Sequence, residues 1–377
     1  MGTVSRQLFR APGRVNLIGE HTDYNEGFVF PAAIDRYVWV EAGARRDAWI
    51  EVWSEDLNAG AQFPLESQRA GDWSDYVRGV ASLLAARGLL RHGAELRLRS
   101  TLPVGGGLSS SAALEVAAAI ALLGLHGVEV APLELARLCQ RAEHDFARVR
   151  CGIMDQFIVT HAREGHALRL DCRSLEHGHV LLPDSNIRLV VANTMVKHEL
   201  AGSAYEERRR ECEEAARLLG VRALRDATPE DLRARGRLLP DRVRLRARHV
   251  IEENCRVLRF GEALEKGDWT AIADLMAESH ESLKNLYQVS CTELDFMVET
   301  GRSLGSRGSR MTGGGFGGCT IHFVLAQQAE QFSAEMAARY RRQFGVRAQI
   351  FSCQAAGAAA EVPSGETNLP PNRPPGR

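Results

Sequence analysis

A dense group of hydrogen-bonding side chains follows a short, mostly apolar run, residues 15–18, near the start of the chain. The group consists of Glu20, His21, Asp23, Tyr24 and Asn25. A turn needs much less polar capacity than these side chains supply. They therefore predict that a polar ligand binds at this stretch.

A glycine- and serine-rich segment, residues 102–113, is a second candidate for chemistry. It contains, in order, Gly105, Gly106, Gly107, Leu108, Ser109, Ser110 and Ser111. Glycines let the backbone approach a ligand, and the helix start that follows offers unpaired N–H groups that suit phosphate. The alternative is a glycine-rich turn with a serine N-cap, which a bare glycine triplet would favour. One hydroxyl suffices for a cap, so the extra serines favour phosphate oxygens or Mg²⁺ as ligands. Neither the Walker A pattern nor the dinucleotide-binding pattern fits this segment.

Two carboxylates and a second glycine-rich segment complete the set of candidates. Asp155 lies among apolar residues, where a carboxylate is either a paired structural group or a catalytic one. Glu143 is a candidate metal ligand, although an isolated glutamate is more often a solvated helix residue. The glycines of residues 311–319 imply either close approach to a ligand or packing against the first glycine segment. Together these features suggest a nucleotide-dependent transferase.

The elements that must position these residues follow from periodicity and turn signals. Strands are predicted at residues 36–41, 49–54, 94–101, 167–171, 187–193, 320–325 and 347–353. Helices are predicted at residues 73–87, from the serines to about 124, and at 133–146, 205–219 and 328–344. This pattern predicts an α/β (α+β) protein in which helices cover sheets, with a seam near residues 173–184.

Composition limits the possible partners and compartment. The 377 residues are 45% hydrophobic and 25% charged, with a formal net charge of −1, which gives no electrostatic reason to expect nucleic acid or an anionic membrane as partner. The arginine-rich residues 221–249 and the triplet at 208–210 are interpreted as solvated helix faces without function. Eight scattered cysteines without zinc-site spacing indicate a reducing compartment. With no signal peptide or membrane span in the sequence, we expect a cytoplasmic protein.

Three motifs carry a resemblance to a known family. Residues 13–25, 102–113 and 308–319 resemble, respectively, the sugar signature of galactokinases and the phosphate loop and third motif of the GHMP kinase superfamily. The similarity extends over roughly residues 8–354. It implies a two-domain α/β GHMP kinase fold with the active site in the cleft between the domains. We expect an N-terminal domain at 1–178, a C-terminal domain at 179–356 and a disordered tail at 357–377.

The resemblance also implies ligands and the residues that hold them. ATP would place its phosphates on the loop from Gly105 to Ser111, and Trp73 would lie near the adenine. Mg²⁺ would be held by Ser110 or Ser111 together with Glu143. The residues expected to bind the hydroxyls of D-galactose are Glu20, His21, Asp23, Gly152 and Tyr205.

The implied reaction is ATP-dependent phosphorylation of galactose at its anomeric C1 hydroxyl. Asp155 would act as general base, and Arg14 beside it would keep Asp155 ionised and stabilise developing charge. A kinase for a related sugar such as N-acetylgalactosamine and a non-catalytic galactose and ATP sensor are the alternatives. A monomer or a weak dimer is expected. Glu26 departs from the family pattern, which often has glycine at this position.

Overall fold

The computed structural model describes residues 6–103, 106–182, 186–197 and 201–363, without the side chains of residues 197, 201 and 202. Its strands are β1 (Gln7–Asn16), β2 (Phe28–Val29), β3 (Pro31–Ala44), β4 (Trp49–Ser54), β5 (Ala59–Pro64), β6 (Ala94–Ser100), β7 (His166–Asp171), β8 (His177–Leu181), β9 (Ile187–Lys197), β10 (Ser309–Thr312), β11 (Gly317–Leu325), β12 (Gln349–Cys353) and β13 (Ala360–Glu361). Its α-helices are α1 (Asp75–Ala86), α2 (Ser110–Leu125), α3 (Pro132–Ala142), α4 (Met154–His161), α5 (Ala201–Leu219), α6 (Pro229–Arg235), α7 (Asp241–Lys266), α8 (Trp269–Ser282), α9 (Thr292–Ser303) and α10 (Ala329–Phe344).

The strands form three sheets. A six-stranded sheet has the order β13-β1-β3-β6-β4-β5, and within it β4 and β6 run parallel while the other pairs are antiparallel. An antiparallel sheet of four strands has the order β10-β11-β9-β12, and β2, β7 and β8 form a third, antiparallel sheet. Helices cover these sheets, as the pattern of elements predicts.

Local sequence explains how the large sheet meets its helices. In β6, Leu96 and Leu98 are buried while Glu95 and Arg97 are exposed, which is the alternation of a half-buried strand. Helix α2 is rich in alanine and buried over most of its surface, so it packs closely on β1 and β3. This packing brings the start of α2 beside Gly13 on β1, where a side chain would meet the backbone oxygen of Leu108 at 2.9 Å.

Three predicted boundaries differ from the structure. The helix expected at 133–146 ends at Ala142, and a turn of π helix, Glu143–Ala147, follows it. The domain boundary expected after residue 178 falls inside β8. The tail expected from residue 357 begins within the fold, because β13 pairs with β1 and Val362 is 5% exposed. Residues 364–377 lie outside the described part of the chain.

The interpretation of the arginines as solvated is wrong for two of them. Arg246 is fully buried, and Arg208 is 7% exposed. Both arginines form ion pairs with Glu211. Each also donates one hydrogen bond to a carbonyl of the π-helical turn Leu283–Tyr287 and one to the following residue, Gln288. Charge composition alone cannot reveal such burial, because the acceptors are backbone carbonyls about forty or eighty residues away.

The described part of the chain contains no helix that is both long and apolar enough to cross a bilayer.

Candidate active site

A cavity of about 530 Å³ brings together segments from both halves of the sequence. Its lining comes from the sugar signature, the start of α2, the region between α3 and α4, helix α5 and the second glycine segment. The predicted site residues that line it are Arg14, Glu20, His21, Asp23, Gly107, Ser109, Ser110, Ser111, Glu143, Asp155 and Tyr205. The sequence therefore predicted most of the polar wall of this cavity.

Arg14 and Asp155 form a two-pronged ion pair in the cavity wall. Arg14 Nε donates to Asp155 Oδ1 and Arg14 Nη2 donates to Asp155 Oδ2, both at 2.8 Å. The third arm, Nη1, donates to the Gly107 carbonyl at 2.7 Å, and the Ser109 hydroxyl also donates to Asp155. The Arg14 side chain is 6% exposed and that of Asp155 is 23% exposed. Asp155 is thus both a paired carboxylate and a group with access to the cavity.

The two glycine segments pack against each other. A Cβ atom at Gly313 would lie 2.6 Å from the Gly107 carbonyl oxygen, and Gly313 has φ of +84°. Gly318, with φ of +85°, approaches Gly106 in the same way. The positive φ would strain a side chain at either position, and at Gly313 a side chain would also collide with backbone. Packing between the two segments, one of the two predicted possibilities, is confirmed.

The serines at the start of α2 face the cavity. Ser109 adopts the left-handed conformation and makes no capping hydrogen bond with its side chain, so the N-cap alternative does not describe it. Its hydroxyl bonds Asp155, whereas Ser111 bonds the carboxylate of Glu143. Ser110 also lines the cavity. The first turn of α2 therefore presents hydroxyl and N–H groups at one end of the cavity.

Glu143 is buried and held from several sides. Its Oε2 accepts a hydrogen bond from Gln156 Nε2 at 2.6 Å and from the Cys151 thiol at 3.2 Å. Burial raises the pKa of Glu143. Gln156 also donates to Glu115 at 3.1 Å, so one amide holds two buried carboxylates. Gln156 directly follows Asp155, but sequence reasoning assigned it no role.

Asp23, Gly152 and Tyr205 meet at the sugar-signature side of the cavity. A Cβ atom at Gly152 would lie only 2.0 Å from Asp23 Oδ2, so Asp23 occupies space that glycine leaves free. Burial, followed by the negative charge of Asp155, raises the pKa of Asp23 to about 6. Tyr205 stands beside His21, with 5.6 Å between their ring centroids. These groups can offer both acceptors and a hydroxyl donor to a polar ligand.

A chain of hydrogen bonds fixes His21. Burial lowers the pKa of His21 to about 3, so the ring is neutral at physiological pH. Its Nε2 lies 3.2 Å from the Gly314 carbonyl and must therefore carry the proton, which leaves Nδ1 to accept from the Tyr24 hydroxyl at 2.8 Å. The Tyr24 hydroxyl in turn contacts the Tyr287 hydroxyl at 2.7 Å, and Cys212 Sγ follows at 3.1 Å. Tyr287 and Cys212 were not among the predicted site residues.

Glu20 is tied into a buried ionic network. Its carboxylate lies 2.5 Å from Arg310 Nη2 and accepts the Gly313 N–H at 3.0 Å. Arg310 is also 4.0 Å from Glu253, which accepts the Gly19 N–H at 3.0 Å. Sequence reasoning missed Arg310 and Glu253. Glu253 lies at helical spacing between Val250 and Val257, on the apolar face of α7. A carboxylate on an apolar helix face is a sequence pattern from which its burial could have been predicted.

The remaining predicted residues lie beside the cavity or outside the described chain. Gly106 and Leu108 belong to the phosphate-loop segment without lining the cavity, although the Leu108 carbonyl accepts the Arg14 backbone N–H at 3.1 Å. Trp73 is half-buried against the main core just before α1 and does not line this cavity. Gly105 lies outside the described residues. Within the described residues, no cluster of three or more His, Cys, Asp or Glu side chains is arranged to hold a metal.

Comparisons with known proteins agree on one family. The family described as "Galactokinase galactose-binding signature" matches residues 2–44, and the GHMP kinase N-terminal and C-terminal families match residues 75–163 and 262–342. A galactokinase from Roseiflexus sp. (strain RS-1) is 46% identical over 365 residues, covering 94% of this chain and 93% of the relative. A galactokinase from Thermotoga maritima is 42% identical over 339 residues, covering 89% of this chain and 95% of the relative.

Solved structures give the same result. The structure of Lactococcus lactis galactokinase complexed with galactose matches with a TM-score of 0.91 and 34% identity over 95% of each chain. A mevalonate kinase from Methanococcus jannaschii, at 20% identity and a TM-score of 0.69 over 94% of this chain and all of its own, shares the fold. The predicted mixed α/β fold is confirmed. The chain belongs to the galactokinase family of the GHMP kinases.

Proposed function

We propose that this chain transfers the γ-phosphoryl group of ATP to the anomeric C1 hydroxyl of D-galactose, giving galactose 1-phosphate and ADP. Galactose phosphorylation is the activity of the family to which it belongs. The observation that carries the proposal is the Arg14–Asp155 pair, which faces a cavity shared by the sugar signature and the start of α2.

The transfer step assigns one role to each member of this pair. The C1 hydroxyl oxygen of galactose attacks the γ-phosphorus, and its proton passes to a carboxylate oxygen of Asp155. A new oxygen–phosphorus bond forms while the bond from phosphorus to the β–γ bridging oxygen breaks, and ADP leaves with that electron pair. Because a sugar hydroxyl is a poor nucleophile, most of the acceleration comes from alignment and charge stabilisation. Arg14 orients Asp155 through two hydrogen bonds and supplies positive charge beside it.

Recognition of the sugar rests on the other end of the cavity. Asp23 and Tyr205 are proposed to bind the C4 hydroxyl, and His21, Glu20 and the Gly152 backbone to contact or orient the remaining hydroxyls. The close fit of Gly152 against Asp23 supports this assignment, because it restricts where the carboxylate can point. Glucose would leave the buried groups at C4 without partners, which is a strong basis for rejecting an epimer.

The phosphates are assigned to the loop from Gly105 to Ser111, with Trp73 on the adenine side. The hydroxyls of Ser110 and Ser111 and the carboxylate of Glu143 line one end of the cavity, and hard oxygen donors of this kind fit Mg²⁺. These residues would hold the ion, which when bound would neutralise part of the phosphate charge. The chain's own residues then have the task of holding the phosphates in line with the sugar hydroxyl.

A coupled ADP-release assay with Mg·ATP and a panel of hexoses tests the proposal. We expect turnover with galactose far above that with glucose, and weaker or no turnover with N-acetylgalactosamine. A preference for N-acetylgalactosamine would indicate the related kinase instead. Galactose binding without turnover on any sugar would indicate a sensor, which the presence of Arg14, Asp155 and all three serines in one cavity argues against.

The proposed setting is the cytoplasm, with galactose and ATP as small-molecule partners. The net charge of −1 gives no basis for binding nucleic acid or an anionic membrane. A monomer or a weak dimer is proposed, and sedimentation over a range of concentrations would test it.

A further inference from the structure

Arg148, one of the residues that line the cavity, occupies an unusual backbone conformation. It follows the π-helical turn Glu143–Ala147 with φ of 63° and ψ of 26°, and its N–H bonds the Glu143 carbonyl. Glycine adopts this left-handed region freely, whereas an arginine is strained there. Strained residues of this kind cluster at functional sites. Arg148 lines the cavity, and its side chain is exposed.

The charges around the cavity leave a specific need for a cation. Five acids line it, namely Glu20, Asp23, Glu143, Asp155 and Glu206, against two arginines, Arg14 and Arg148. Arg14 is committed, because its donors are directed at Asp155 and the Gly107 carbonyl. Arg310, which does not line the cavity, forms an ion pair with Glu20. Two arginines line the cavity in the described part of the chain. Of these two, Arg148 is the one whose side chain makes no hydrogen bond or ion pair to a described residue.

We propose that Arg148 is a nucleotide-binding residue whose guanidinium pairs with phosphate oxygens of ATP. This inference rests on the proposed function. A nucleotide triphosphate brings several negative charges into a cavity that is already acidic, and an unpaired arginine is the group best suited to meet them. Arg148 is also close in sequence to Glu143, which lines the cavity together with Ser110 and Ser111. The backbone strain is then the cost of directing a long cationic side chain over the phosphates.

The left-handed conformation makes a clean test possible. Arg148→Gly removes the charge and relieves the backbone strain at once, so a loss of activity in this variant is not explained by a weakened fold. Arg148→Asn removes the charge with a residue that tolerates the conformation. Arg148→Lys keeps the charge without the planar fork. Arg150→Asn is the matched control, because Arg150 is an exposed cation two positions away that does not line the cavity.

The measurements separate nucleotide binding from sugar binding. We expect Arg148→Gly and Arg148→Asn to raise KM for Mg·ATP about tenfold, the loss of one charge-assisted contact, with KM for galactose nearly unchanged. Arg148→Lys should recover part of the loss, and Arg150→Asn should match the wild type. Calorimetric binding of a non-hydrolysable Mg·ATP analogue should weaken by a similar factor, while the melting temperature of Arg148→Gly should stay equal or rise.

Two results would overturn the inference. One is unchanged KM and analogue affinity in Arg148→Gly, and the other is an equal loss in Arg150→Asn, which would indicate a general charge effect. Failure of the proposed function is distinguishable from these results, because the wild type itself would then not turn over galactose. The analogue titration still decides the role of Arg148 in that case.

Discussion

Replacement of Glu253 by glutamine should weaken both the fold and the sugar site. Glu253 is fully buried on α7. One oxygen accepts the Gly19 N–H at 3.0 Å and the Ser279 hydroxyl at 2.5 Å, and the other accepts Arg256 Nε at 2.7 Å. Gly19 immediately precedes Glu20 in the sugar signature. This one carboxylate therefore connects α7 and α8 to the loop that bears the sugar-binding residues.

The size of the effect follows from the shift in pKa. Burial alone would raise the pKa of Glu253, but the positive charges of Arg256 and Arg310 and the Ser279 hydrogen bond outweigh it, and the pKa falls from 4.5 to about 2. Each unit corresponds to about 1.4 kcal/mol, so the ionised form contributes about 3 kcal/mol to the free energy of unfolding. Because the folded pKa is depressed, this contribution is present above about pH 4.5 and is lost as the pH falls towards 2.

Urea unfolding at pH 7 measures this contribution directly. Glutamine can still accept the Gly19 N–H, but it leaves buried Arg256 without its closest counter-charge, so we expect a loss of about 3 to 5 kcal/mol. Glu252→Gln is the matched control. Glu252 is partly exposed and pairs with Arg248 at 2.8 Å and more distantly with Arg256 at 3.7 Å. Because Arg256 keeps its closer partner Glu253 in this variant, the loss should stay below about 1 kcal/mol.

Two further measurements sharpen the test. Between pH 5 and 2, the stability of the wild type should fall more steeply than that of Glu253→Gln, because the variant lacks the titrating group. KM for galactose should rise in Glu253→Gln, since the Gly19 loop loses part of its support. Equal stability losses in Glu253→Gln and Glu252→Gln, or equal acid slopes in variant and wild type, would refute the reasoning.

Three more predictions concern the site itself. Asp155→Asn should lower kcat by about 10²- to 10⁴-fold while the protein still folds and binds galactose, and near-normal kcat would remove Asp155 from the base role. In Gly152→Ala the new Cβ would lie 2.0 Å from Asp23 Oδ2, so the substitution should displace this carboxylate. We expect kcat/KM for galactose to fall about 10- to 100-fold and KM for ATP to stay unchanged. An unchanged kcat/KM for galactose would show that the Asp23 carboxylate is not needed at this position. Since the pKa of Asp23 is raised to about 6, its carboxylate gains a proton as the pH falls through 6, so kcat/KM for galactose should decline there. The pH profile of Asp23→Asn should lack that limb, and its persistence would assign it to another group.

Local patterns in the sequence were sufficient for most of the elements. The strand at residues 49–54 matches β4, and the predicted helices at 73–87, 205–219 and 328–344 correspond to α1, α5 and α10 within a few residues. These elements were predictable because alternation, helical spacing and glycine stops act over a few neighbouring residues. The π-helical turn after Ala142 was missed because it continues the helical spacing of α3 and differs in hydrogen bonding alone.

The sequence by itself determined which residue types carry the chemistry. The sugar signature, the serines at the start of α2, Asp155 and the second glycine segment were identified from composition and resemblance, and most of them line one cavity. Glycines and clustered polar residues are informative in one dimension, because their conformational freedom and hydrogen-bonding capacity exceed what a turn or a helix needs.

Only the tertiary structure decided most of the other partners. The resemblance implied the Arg14–Asp155 pair, whereas it did not indicate that Glu20 pairs with Arg310, or that Arg208 and Arg246 are buried where charge composition predicted solvent. The free Arg148 is likewise visible only after the committed cations have been identified. Pairing of charges depends on which groups packing brings together and removes from water, and that is a property of the whole fold rather than of any local stretch.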